Sequence, residues 1–206
     1  MRKTLNWVVF VLCVTLFAVT FSCATGGKSR TPEGNGYLAT GEWRPYNDEA
    51  DGGSSTADLT EAVETINGET VTTYTTKGNI TTQFQYGFAG WAIDPDDETL
   101  DRLKKATGIT FYIQGDGKRY AVKYKTQECV SDSCFYEYLF NTDPSGEPTL
   151  IEVPIKLFMQ PSWGAYKRLN QDSFIGLEWQ THESWRTSPS TNPFEVKIWD
   201  VRIWSN

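Results

Sequence analysis

From residue 62 to residue 204 the chain alternates short runs of β-branched and aromatic residues with turn-forming pairs. This rhythm constrains the fold more than any other feature, because period-two patterning suits strands and fits no helix. Asn67-Gly68, between residues 62–66 and 69–76, predicts a hairpin with a two-residue turn. Gly78-Asn79 predicts a further turn before a strand over 80–86, and 88–93 continues the series. Runs at 109–114, 120–126, 135–141, 149–154, 175–181 and 194–204 follow. In the last run Phe194, Val196 and Ile198 share a face, and the alternation restarts at Val201 and Ile203, which predicts a β-bulge near Asp200. One segment reads as a helix: Asp94 as cap, Pro95 at the first position, acids in the first turn, Lys104 and Lys105 in the last, and Gly108 as the stop. About nine strands with one short helix predict an all-β, two-sheet sandwich.

The N-terminus reads as an export signal. Arg2 and Lys3 precede a mostly apolar stretch, Leu5 to Phe21, and the chain turns polar directly after Ser22-Cys23. A cysteine at that point resembles a bacterial lipobox, with Thr20 and Phe21 departing from its usual Leu and small residue. The expectation is a signal peptide over residues 1–22, lipidation of Cys23, a Gly/Ser/Thr-rich tether to residue 41 and one folded domain over 42–206, placed in the bacterial cell envelope. An uncleaved anchor or an ordinary signal peptide is the alternative.

Of the remaining cysteines, Cys129 and Cys134 flank a Ser-Asp-Ser turn. They can close a hairpin loop in an oxidising compartment, or remain two free thiols. A zinc site does not follow from two thiols and the single His182. The net charge is −7, and removal of residues 1–22 takes only basic charge away. An acidic chain without a basic stripe is poorly suited to nucleic acid or to anionic lipid.

Several motifs, in order, carry a resemblance: Asp51-Gly52-Gly53-Ser54-Ser55, Gly87-Phe88-Ala89-Gly90, the stretch from Gly115 to Tyr120, Tyr136 through Thr142, Ile151 through Phe158, Ile175-Gly176-Leu177, and Phe194 through Ile198. Over residues 43–204 the chain resembles the complex I intermediate-associated protein 30 domain, which is related to family 11 carbohydrate-binding modules. Pro148-Thr149 and Trp199-Asp200 depart from the family pattern. The resemblance implies a galactose-binding-like jelly roll whose concave sheet binds glycans, without catalysis.

Strand parity assigns Phe111, Ile113, Tyr120, Val122, Tyr124, Phe140, Ile175, Leu177 and Trp179 to the core. The opposite parity places Tyr112, Gln114, Lys123, Lys125, Glu137, Glu178 and Gln180 on the concave face, where polar groups can read sugar hydroxyls. The same pattern also describes a solvated sheet. Trp163 and Trp185, in loops, are further candidates for stacking on sugar rings. Asp48, Asp51 and Asp200 could supply oxygen ligands to a structural calcium ion; no other cofactor is expected. The segment Glu178 to Glu183 superficially resembles the carboxylate strand of jelly-roll glucanases, but Gln180 stands where the central acid belongs. The expected function is a lipid-anchored, exported, non-catalytic carbohydrate-binding module. The alternative is an envelope assembly or structural protein with a protein partner.

Overall fold

The computed structural model describes residues 36–132, 134–162, 164–185 and 192–205. The strands are β1 (Tyr37–Leu38), β2 (Gly41–Asn47), β3 (Thr56–Ile66), β4 (Glu69–Ile80), β5 (Phe88–Pro95), β6 (Gly108–Gln114), β7 (Arg119–Thr126), β8 (Tyr136–Asn141), β9 (Thr149–Pro154), β10 (Phe174–His182) and β11 (Asn192–Trp204). One helix, α1 (Asp97–Leu103), follows β5. Strands β3-β4-β11-β6-β9 form one sheet, with β1 paired to the end of β11, and β2-β5-β10-β7-β8 form the other. All pairings are antiparallel. The result is a two-sheet jelly roll.

The hairpin turn falls at Asn67 (φ 53°) and Gly68 (φ 86°), both left-handed as the two-residue loop requires. The bulge near Asp200 is present: the β11–β6 register shifts between Trp199 and Arg202, and Asp200 has φ 52°. The expected turn at Gly78-Asn79 is absent, and β4 runs on to Ile80. Gly78 is needed there for another reason, since a Cβ would lie 1.9 Å from the Thr56 carbonyl oxygen across the strand pair. The helix begins later than expected. Asp94 and Pro95 are strand residues, and the cap is Asp96, whose Oδ1 accepts from the Thr99 amide at 2.8 Å. The chelated pair Arg44–Asp94 keeps Asp94 on β5. Tyr37 and Leu38, read from composition as tether, pair with Ile203 and Arg202.

The two inner faces meet around tryptophan. Trp179 on β10 is fully buried and stacks on Trp91 of β5 (6.2 Å, 5°) and on Trp43 of β2 (5.4 Å, 24°). Phe111 of the opposite sheet approaches it edge-on at 5.6 Å. Trp43 in turn stacks on Tyr74 of β4 at 4.2 Å, joining the two sheets at their edge. Such pairs add to plain area burial, about 0.5–1.5 kcal/mol each. The core assignment by parity holds except at Ile175, which is 37% exposed. A register shift between Phe174 and Gly176 breaks the alternation there and buries Phe174 against Tyr124 instead (4.1 Å).

The Asp-Gly-Gly-Ser-Ser segment closes around the buried carboxylate of Asp48. Its Oδ1 accepts from the Ser55 amide (2.9 Å), and its Oδ2 accepts from Ser55 Oγ (2.7 Å) and from the Phe88 amide (3.1 Å). Ser55 Oγ also accepts from the Thr81 amide at 3.0 Å. Gly53 leaves the room for this: a Cβ would stand 2.2 Å from the Asp48 carboxylate. The end of β2, the 52–55 loop and the start of β5 are thereby held by one side chain.

Candidate functional site

A groove of about 810 Å³ crosses the outer face of the β2-β5-β10-β7-β8 sheet. Register builds its floor in rows. Tyr46, Gly90, Gln180 and Ala121 are successive cross-strand neighbours in one row. Arg44, Ala92, Glu178, Lys123 and Glu137 form the next. In these rows glycine and alanine stand between long polar side chains. Phe84, Tyr86, Phe88 and His182 line one end, and Cys129, Val130, Phe135 and Ile175 line the other. Phe84 and Tyr86 meet edge-to-face at 5.9 Å, and Tyr86 is 57% exposed.

Two ion pairs cross the groove. Arg44 chelates Asp94 through Nε (2.6 Å) and an Nη (3.2 Å), and Lys125 meets Glu178 at 3.2 Å. Lys123 differs. It is 5% exposed, its ammonium donates to Gln180 Oε1, and it lies 3.7 Å from the centroid of Phe135 and 6.0 Å from that of Phe88. Tyr46 donates its hydroxyl to the same Gln180 oxygen at 3.2 Å. Burial pulls Lys123 down to about 8, against the favourable charges of Glu178 and Glu137. Burial also pushes the Tyr46 phenol well up, with the Glu178 charge adding to it. The carboxyl of Glu137 is raised by burial, with Lys123 opposing.

Of the expected site residues, Lys123, Glu178 and Gln180 line the groove, and Glu137 stands beside Lys123 on β8. Tyr112 and Gln114 do not share that face. They lie on β6 in the other sheet, where Tyr112 stacks on Trp199 (5.5 Å, 10°) and Gln114 donates to the Gly146 carbonyl (2.8 Å). Parity holds within β6, where Phe111 and Ile113 are buried, but parity cannot say to which sheet a strand belongs. Trp185 sits in a 3₁₀ turn after β10, its ring 5.7 Å from that of His182, and it is not among the groove-lining residues. Trp163 and Cys23 lie outside the described residues, as does the segment expected to be a signal peptide. Cys129 and Cys134 form a disulfide (S–S 2.02 Å) at the groove rim. The residues missed from sequence are Arg44, Tyr46, Phe84, Tyr86, Phe88, Phe135 and His182. Phe84 and Tyr86, two apart in a segment read as a strand, carried a signal; they fall in the 81–87 connection and not in a strand.

Asp48, Asp51 and Asp200 do not fit a calcium site. The Asp48 oxygens accept from Ser55 and Phe88, and Asp200 pairs with Arg202 (2.8 Å) on the other sheet. Among the described residues no three His, Cys, Asp or Glu side chains gather as a metal-ligand set. Glu178 and Gln180, the first two positions of the glucanase-like segment, are engaged by Lys125 and by Lys123 and Tyr46. No helix among the described residues is long and apolar enough to cross a membrane.

Comparison with solved structures places the fold beside family 11 carbohydrate-binding modules of Clostridium thermocellum. The module solved in complex with a β-1,3-1,4-mixed-linked tetrasaccharide superposes with TM-score 0.54 at 15% identity, covering 79% of this chain and 88% of that one. The module of the cellulosomal cellulase Lic26A-Cel5E superposes with TM-score 0.55 at 16% identity, covering 84% and 91%. At such identities the likeness speaks for the jelly roll. No curated protein sequence matches this chain. The family model for complex I intermediate-associated protein 30 matches residues 33–174, and the chain belongs to that family.

Proposed function

We propose that this protein is an exported, lipid-anchored, non-catalytic module that binds carbohydrate in the groove of the five-stranded sheet. The observation that carries the reading is the groove itself. It lies on a fold shared with carbohydrate-binding modules and combines small floor residues, polar heads and exposed aromatic rings. Sugar rings present flat apolar faces edged with hydroxyls. Aromatic faces such as Tyr86 match the former, and Gln180, Lys123 and Glu178 match the latter. Anchoring through Cys23 rests on the sequence pattern alone. The test is a glycan array with the full-length chain in detergent, followed by calorimetry. Folded protein that binds no glycan in a broad screen refutes the reading. Mass spectrometry of the N-terminal peptide of the cell-derived protein tests lipidation, and an unmodified Met1 refutes it.

A second reading, attachment to an envelope protein, is favoured by β3. The other edge strands carry protection: Pro45 lies in β2, Met159 pairs with Glu137 on β8, and β9 is short and ends in Pro154. Edge strand β3 runs from Thr56 to Ile66 without proline or register shift, its only charges are the acids Asp58, Glu61 and Glu64, and its Val63 is 70% exposed. Mild crosslinking in cells, followed by purification, tests it. Recovery of no specific protein counts against it.

A further inference from the structure

We propose that the groove selects acidic saccharides, with Lys123 as a preset receptor for one carboxylate on a sugar ring. The inference rests on the carbohydrate reading above and names its ligand class. It begins from the balance of charges along the groove. Arg44 is paired with Asp94 and Lys125 with Glu178. Lys123 is the lining lysine or arginine that has no ion pair among the described residues, and it is also the most deeply buried of the three.

An ammonium has three donors. That of Lys123 has one oxygen acceptor, Gln180 Oε1, and two aromatic faces. Ring faces attract a cation but do not neutralise it. A buried charge without a direct ion pair is costly, and a partner that makes one relieves the cost. A ligand carboxylate supplies both a direct ion pair and the missing acceptors. Lys123 and Gln180 both line the groove, so a ligand seated there can reach the ammonium.

Other charges limit the ligand. Glu178 on β10 and Glu137 on β8 are the direct cross-strand neighbours of Lys123, and both oppose an anion. Glu178 is already engaged by Lys125, while Glu137 opposes the anion directly, its own carboxyl raised by burial and lowered by Lys123. Lys125 on the same strand adds positive charge; Arg44 and Tyr46 on β2, Asp94 on β5 and His182 on β10 complete the surroundings. The chain's net charge of −7 also repels anions at long range. Attraction is therefore local and desolvated, and it accommodates one carboxylate per ring. Uronate-containing chains fit these terms; densely sulfated ones do not.

The test is calorimetry on the full-length chain in detergent. The probes are uronate oligosaccharides of the galacturonate, glucuronate and mannuronate series, each beside its carboxyl-reduced neutral form. Carboxyl reduction keeps stereochemistry and removes only the charge. At least one series is expected to bind about ten-fold or more tighter in its acidic form, the range of a hydrogen-bonded charge. Affinity for that form falls as pH rises through about 8 and the ammonium loses its proton. The variant Lys123→Met abolishes the preference and the pH profile, and Lys123→Arg retains the preference but not the fall near 8. Equal binding of acidic and reduced forms in every series overturns the inference and leaves the carbohydrate reading standing. A preference that persists in folded Lys123→Met overturns it as well. Absence of binding to any glycan, neutral or acidic, sinks both. If Lys123→Met does not fold, the wild-type comparison and its pH profile still decide.

Discussion

Replacing Asp48 with alanine removes the acceptor for three donors while leaving the donors in place. Two are backbone amides, of Ser55 and Phe88, which cannot rotate away; the third, the Ser55 hydroxyl, can. An orphaned buried donor costs about 1–3 kcal/mol, so the two amides together suggest a loss of about 4 kcal/mol. For a domain of this size each kcal/mol shifts the midpoint by roughly 2–4 °C, giving a drop on the order of 10 °C. The variant Asp48→Asn preserves shape, but its amide nitrogen must face one donor, so its loss should be smaller. Urea and thermal unfolding followed by tryptophan fluorescence measure both. Because Asp48 ties the end of β2 to the first residue of β5, faster amide exchange at Ser55 and Phe88 should accompany the loss. An Asp48→Ala protein within about 1 kcal/mol of wild type would refute the claim that this carboxylate holds the three segments together.

The Cys129–Cys134 disulfide closes only a short loop in the unfolded chain, so the chain-entropy account gives a loss of only about 2 kcal/mol on reduction; a loss twice that size would point to rim packing instead. Lys123 titrates lower in the folded state than in the unfolded one, so between about 8 and its ordinary value of 10.5 the unfolded chain holds the extra proton and stability rises with pH. The rise is on the order of 3 kcal/mol, and Lys123→Met should flatten the difference between urea curves at pH 7.5 and 9.5. Tyr86→Ala should weaken glycan binding by about 1–2 kcal/mol, while Tyr112→Ala, on the opposite sheet, should leave it unchanged; the reverse result moves the site. Neither calcium nor a chelator should shift the unfolding midpoint, because the Asp48 oxygens already accept protein donors.

Local chemistry wrote much of the fold into the chain. The Asn67-Gly68 turn, the alternation of Tyr120, Val122 and Tyr124, and the slip near Asp200 depend on neighbours a few residues away, and each was legible. Which residues of β7 and β10 face outward followed from the same period of two, so Lys123, Glu178 and Gln180 could be named. The local rule failed where a partner strand intervened. Asp94 suits a helix cap, but Arg44 holds it on β5; Gly78 suits a turn, but close approach of β3 claims it. Ile175 suits the core, but the shift beside Gly176 turns it outward.

The sequence by itself determined that the chain builds strands, where most of them turn and which side of each is apolar, because these depend on contacts within a few residues. Only the tertiary structure decided which strands share a sheet. That decision parted Tyr112 and Gln114 from Lys123, brought Tyr46 of β2 onto the same Gln180 oxygen across three strand pairs, and left its ammonium buried without a direct ion pair among the described residues. Sheet membership is set by how the two inner faces pack around Trp179, a long-range packing choice that period-two patterning cannot encode.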